Sequence, residues 1–133
     1  MENILKKAVE NYIESIEANI TECKSTPKKG FVAKIDISGD FNSEIFIVLP
    51  EIKLDYIAEL WFGDKTDYDK EDLTKEISNL IIGNAKVIAQ NIGKNFDIST
   101  PTFIGEFNKN IKYDDLLKFK FKNRCFYILF KEK

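Results

Sequence analysis

The chain has 133 residues, 44% hydrophobic and 32% charged, with 20 basic against 22 acidic side chains and a formal net charge of -2, which suits one ordinary hydrophobic core and not two. It has no histidine, so imidazole is excluded as general base, metal ligand and pH switch, and with it a Ser-His-Asp triad and any His-containing zinc site. The balanced charge lacks the net basic face of a nucleic-acid binder, and no apolar run approaches a bilayer span.

Residues 3–20 place Ile4, Leu5, Ala8, Val9, Tyr12, Ile13, Ile16 and Ile20 at three- and four-residue spacings, which predicts an amphipathic helix. Met1 to Lys7 carries neither an uninterrupted apolar core nor a small-residue cleavage site, so no secretory signal is expected. A polar stretch through Pro27 and Gly30 then reads as a connection. Cys23 within it and Cys125 are the two cysteines. Nothing in their spacing signals a disulfide, although geometry leaves one open, so reduced thiols in a cytoplasmic protein are the expectation.

Residues 31–37 and 44–49 are strand-like and close together, which predicts an antiparallel hairpin turning at Ser38–Ser43. A helix over 53–62 follows, ended by Gly63, with Trp61 and Phe62 expected to pack under the sheet and, as the alternative, to help a subunit contact. Asp64, Asp67, Asp69 and Asp72 cluster next. They lack the alternating ligands, central glycine and terminal glutamate of a calcium loop, so a solvated loop and helix cap is expected there.

The longest periodic segment is 70–92. At about 100° per residue, Leu73, Ile77, Leu80, Ile81, Val87, Ile88 and Ile92 fall in one broad apolar sector. Glu76, Asn79, Gly83, Lys86 and Gln90 gather opposite, while Asn84 and Asn91 read as buried polar anchors. After Gly93 the period changes: a strand is predicted near 101–107, and a last pair over 116–122 and 124–130 is a candidate dimer edge. Lys118, Lys120 and Lys122 alternate with apolar residues, as the wet face of a strand does. The whole predicts an α+β domain over 1–133, a mainly antiparallel sheet covered by helices.

The polar face of the long helix carries the chemistry. Glu76 and Asn79 are three residues apart, so their side chains emerge about one turn apart, and Gly83 lies a further turn along. Glycine inside a helix costs about 1 kcal/mol against alanine, and on a wet face no core packing explains it. Spacing alone leaves plain solvent contact open.

The run from Asp72 to Lys86, with its pattern of Glu76, two residues, Asn79, three residues, Gly83, resembles the helical signature of the CheC/CheX group of chemotaxis phosphatases. The resemblance extends over about residues 31–130, through the Ile35–Gly39 and Glu44–Leu49 hairpin, Tyr56–Gly63 and Gly93–Gly105. Ser43 departs from it, standing where the family often has a hairpin glycine. The single copy of the motif is similar to the dimeric CheX-like members.

The resemblance implies hydrolysis of the aspartyl phosphate of a phosphorylated CheY-like response regulator. Asn79 would orient the attacking water, and Glu76 would pair with the regulator's active-site lysine. Gly83 and Lys86 would meet the partner, with Gln90 as a flanking contact. No cofactor is expected on this chain, since the Mg2+ belongs to the regulator. A homodimer is implied, with neither nucleic acid nor membrane as partner. The alternative is a non-catalytic adaptor of the same architecture.

Overall fold

The computed structural model describes residues 1–132. Its elements are α1 (Glu2–Ser15), β1 (Phe31–Gly39), β2 (Ser43–Leu49), α2 (Glu51–Phe62), α3 (Lys70–Asn91), β3 (Phe96–Ile98), β4 (Thr102–Glu106), β5 (Asp115–Phe121) and β6 (Arg124–Glu132). The sheet is antiparallel throughout, in the order β3-β1-β2-β6-β5, and β4 also pairs with β1. This is the α+β arrangement of helices on an antiparallel sheet.

Both faces of the sheet are covered, which explains the dense apolar runs in its middle strands. α1, α2 and α3 pack the larger cluster around Ile35, Ile37, Ile45, Ile47 and Ile128. The opposite face holds a smaller cluster of Val32, Phe46, Val48, Tyr127 and Leu129, with Leu116 of β5 beside it and Cys23 and Phe107 laid over it. β2 and β6 therefore read as continuous rather than alternating.

α1 stops at Ser15, five residues short of its predicted end. Glu17 adopts a left-handed conformation (φ 58°). Its N–H donates to the Glu14 carbonyl, and the Ala18 N–H donates to the Ile13 carbonyl. These two bonds close a Schellman motif, with Ala18 buried beside Ile13. A non-glycine residue at that position left no signal in the sequence. Beyond it, Thr21 bridges Lys120 of β5.

That bridge carries Cys23 to Cys125, and the two form a disulfide across 102 positions with Cα atoms 5.8 Å apart. The expectation of reduced thiols is corrected on this point: register along β5 and β6, invisible to spacing, brings the pair together. The same segment uses part of the free edge of β5. Because β6 lies inside the sheet, only β5 of the predicted pair is an edge strand. Lys122 and Asn123, both at positive φ, make the two-residue turn between them.

Ser43 turns its departure from glycine to use, since its hydroxyl is buried and donates to the Lys131 carbonyl at 2.9 Å, fastening the first hairpin to β6. Trp61 and Phe62 do not pack under the sheet: Phe62 is 59% exposed and Trp61 stands edge-on to Tyr12. α2 buries only Lys53, Leu54, Ile57 and Ala58 before Gly63 ends it. Lys53 is the surprise of that helix. It is 1% exposed, donates to the Phe121 carbonyl and lies over the Phe121 ring. Burial, with Arg124 and Lys122 adding repulsion, pushes its ammonium pKa down to about 8.

Candidate functional site

α3 begins at Asp69, whose carboxylate accepts the Asp72 N–H at 3.0 Å, the N-cap expected of that acidic stretch. Among the described residues no group of three acidic or cysteine side chains is placed to hold a metal ion. The helix lays Thr74, Ser78, Ala85 and Ala89 against its neighbours together with Ile77, Ile81 and Ile82. The two buried hydroxyls are satisfied within the helix, Thr74 donating to the Lys70 carbonyl and Ser78 to that of Thr74, each at 2.7 Å. A small-residue stripe thus brings α3 close to the sheet.

The opposite stripe is wet. Glu76 and Asn79 are both exposed, and neither makes an ion pair or side-chain hydrogen bond within the described residues. Their cationic neighbour Lys75 is taken up by Glu71 and Asp72 at 3.8 and 3.9 Å. A Cβ added at Gly83 would meet nothing within 4 Å, so no contact among the described residues requires a glycine there. Lys86 is half-buried and Gln90 exposed.

The predicted apolar sector is corrected at its edge. Leu80 is 42% and Val87 55% exposed, beside Glu76 and Gly83, and Ile92 is exposed where the helix ends. Asn91 is exposed as well, not an anchor. Asn84 is the half-buried one, and its Oδ1 accepts from Asn11 Nδ2 at 3.1 Å, tying α1 to α3.

A shallow hollow of about 300 Å³ lies beside the pair, lined by Asp72, Lys75, Glu76, Asn79, Thr100 and Pro101. The β3–β4 turn, which supplies the last two, lies within the Gly93–Gly105 run of the resemblance, but nothing in the sequence placed it beside the pair. Ser99 holds it by exchanging bonds with Asp36 of β1, donating its N–H to the carbonyl at 2.9 Å and accepting the Asp36 N–H on Oγ at 2.8 Å. A larger hollow of about 440 Å³ lies elsewhere, between Lys28–Phe31, the start of α2 and the end of β4. It borders neither Glu76 nor Asn79.

Three helices on an antiparallel sheet match the CheC/CheX class of fold. The model of the family "Chemotaxis phosphatase CheX" matches residues 31–123, and the chain belongs to that family. Among solved structures it is similar to a chemotaxis protein CheX from Desulfovibrio desulfuricans at 18% identity, covering 98% of this chain and 97% of that one with a TM-score of 0.76. A CheX from Vibrio vulnificus matches at 18% identity with the same coverage and a TM-score of 0.77. The CheX-CheY-BeF3-Mg2+ complex from Borrelia burgdorferi matches at 17% identity, 98% and 97% coverage and a TM-score of 0.70. No curated protein matches the sequence. No helix among the described residues is long and apolar enough to cross a membrane.

Proposed function

We propose that the chain hydrolyses the aspartyl phosphate of a phosphorylated CheY-like response regulator, using Asn79 and Glu76. The observation that carries this reading is the pair itself: an amide and a carboxylate side by side on an exposed helix stripe, with no hydrogen-bond or ion-pair partner among the described residues. An acyl phosphate needs little more than a water held in line with the leaving oxygen. The Asn79 amide both accepts from and donates to water, so it does that work without a shifted pKa. Glu76 pairs with the regulator's lysine, a contact that strengthens as docking excludes water. The Mg2+ belongs to the regulator.

Gly83 leaves a notch for close approach, Lys86 and Gln90 flank it, and Leu80 and Val87 give the contact an apolar border. A helix fixes the separation of the two tips better than a loop would. The reading keeps the expected homodimer, for which β5 offers an edge beyond the Thr21 bridge.

The test is decay of a phosphorylated CheY-like receiver with Mg2+ and catalytic amounts of protein. Asn79→Ala should lower kcat at least about a hundredfold and leave most of the binding, whereas Glu76→Ala should weaken both. Binding without any acceleration by the wild type would select the adaptor reading instead.

A further inference from the structure

The end of α2 leaves an aromatic ring in water. Phe62 is more exposed than any other aromatic side chain among the described residues, and Ile52, Leu60 and Trp61 are exposed along the same helix. Yet the ring is firmly mounted. Its helix closes at Gly63 (φ 75°), whose N–H donates to the Glu59 carbonyl at 2.9 Å. The loop that follows is fastened back to α2: the Tyr68 hydroxyl donates to Asp55 at 2.6 Å, and Lys70 pairs with Glu51 at 3.3 Å. Trp61 stands edge-on to both Tyr12 and Phe62, 6.4 Å from each. A ring held in this way loses little freedom on being covered, as a binding anchor requires.

Phe62 stands at the start of α3. It shares a hollow of about 320 Å³ with Asp67, Tyr68, Asp69, Asp72 and Leu73. Asp72 also lines the hollow beside Glu76 and Asn79, and Glu76 follows it by one turn of α3, about 6 Å. The two hollows therefore adjoin. A domain docked on the Glu76/Asn79 stripe covers about 800 Å² of its partner, which extends well beyond one helical turn.

The rim of the hollow selects what meets the ring. Asp67 and Asp69 pair with no cation among the described residues, Asp72 shares Lys75 with Glu71, and Lys70 is taken up by Glu51. Lys65, the lysine of that loop, does not line the hollow. A second copy of the chain set against this patch across a two-fold axis would bring acidic rim onto acidic rim, which is repulsive. A lysine or arginine fits: its stem lies on the Phe62 ring and its charge falls among the carboxylates.

We propose that Phe62 is a specificity-determining anchor for the receiver. It takes a basic side chain that flanks the receiver's phosphorylation site and is distinct from the lysine that Glu76 meets. The inference rests on the phosphatase reading of the α3 face. Phe62 touches no reacting atom, so it acts on formation of the complex and not on the chemical step.

The experiment titrates a tryptophan-free CheY-like receiver, activated with Mg2+ and beryllofluoride, into wild type, Phe62→Ala and the double variant Asp67→Asn, Asp69→Asn, in which asparagine still caps α3. Decay of the phosphorylated receiver and sedimentation are measured for each. Docking should shift the emission of Trp61, the only tryptophan of the chain, to the blue. Phe62→Ala should raise Kd and KM about tenfold, the effect of losing an aromatic anchor, and leave kcat within about twofold. The double variant should raise Kd about threefold and flatten its rise with salt. Unchanged Kd and KM in Phe62→Ala, a fall in kcat at constant KM, or unmoved Trp61 emission overturns the inference while leaving the phosphatase reading in place. So does a dimeric wild type beside a monomeric Phe62→Ala, which makes the patch a contact between copies. A wild type that neither binds nor accelerates the decay of any receiver removes both.

Discussion

Lys53 offers the sharpest test of the packing, because a buried ammonium makes stability depend on pH in a direction few lysines do. Its pKa falls from 10.5 to about 8 in the folded chain. Between those values the unfolded state holds a proton that the folded state has released, so stability rises with pH through that window. Below pH 8 both states are protonated and the full cost of burying the charge is present. The whole shift corresponds to about 3 kcal/mol, of which about 2 kcal/mol is gained between pH 8, where the folded-state lysine is half titrated, and pH 10. Lys53→Met keeps the stem and removes the charge, so its urea-unfolding free energy should lack this rise. The raised phenols of Tyr12 and Tyr68 act in the opposite sense above pH 10 and are common to both proteins, so the difference between the two curves isolates Lys53. Parallel curves for wild type and Lys53→Met from pH 8 to 10 would refute the argument.

Gly83→Ala should raise stability by about 1 kcal/mol in thermal or urea unfolding, since the added methyl meets nothing. The same change should weaken binding to the phosphorylated receiver if the notch serves close approach. Reduction of the Cys23–Cys125 bond, or Cys23→Ser, should lower stability by about 2–5 kcal/mol in urea titrations, the range for a loop spanning 102 positions. Ser43→Ala should cost about 1–2 kcal/mol by the same measurement, because it removes the bond from the buried Ser43 hydroxyl to the Lys131 carbonyl.

Sequence reasoning reached the elements where periodicity and punctuation agree. α3 combines a long apolar repeat with an acidic N-cap and a Gly93 stop at positive φ, so its bounds were readable within a residue. It went wrong where the deciding interaction lies far along the chain. The end of α1 depends on Glu17 accepting a left-handed conformation, the disulfide depends on the register of the Thr21 bridge, and the burial of Lys53 depends on the Phe121 carbonyl. None of these leaves a local pattern. The β3–β4 turn beside Glu76 and Asn79 was unreadable for the same reason, being placed by the bonds that Ser99 makes to β1.

The misplaced edge of the α3 sector has a more specific cause. A helical wheel weights large apolar residues, so it draws the buried face from Val87 and Leu80 across Leu73 and Ile77 to Ile81 and Ile92. The face in contact is shifted toward Thr74, Ser78, Ala85 and Ala89, because small residues permit close approach to the sheet and the two hydroxyls bond back within the helix. That shift turns Leu80 and Val87 outward next to Glu76 and Gly83. A polar pair bordered by apolar side chains is favourable ground for a protein contact, since burying the border removes water from the pair at the moment its charge and dipole are needed. The small inner stripe of α3 therefore has a consequence on its outer one: by rotating the helix, it sets Leu80 and Val87 along one flank of Glu76 and Asn79, surface that the proposed docking would dry.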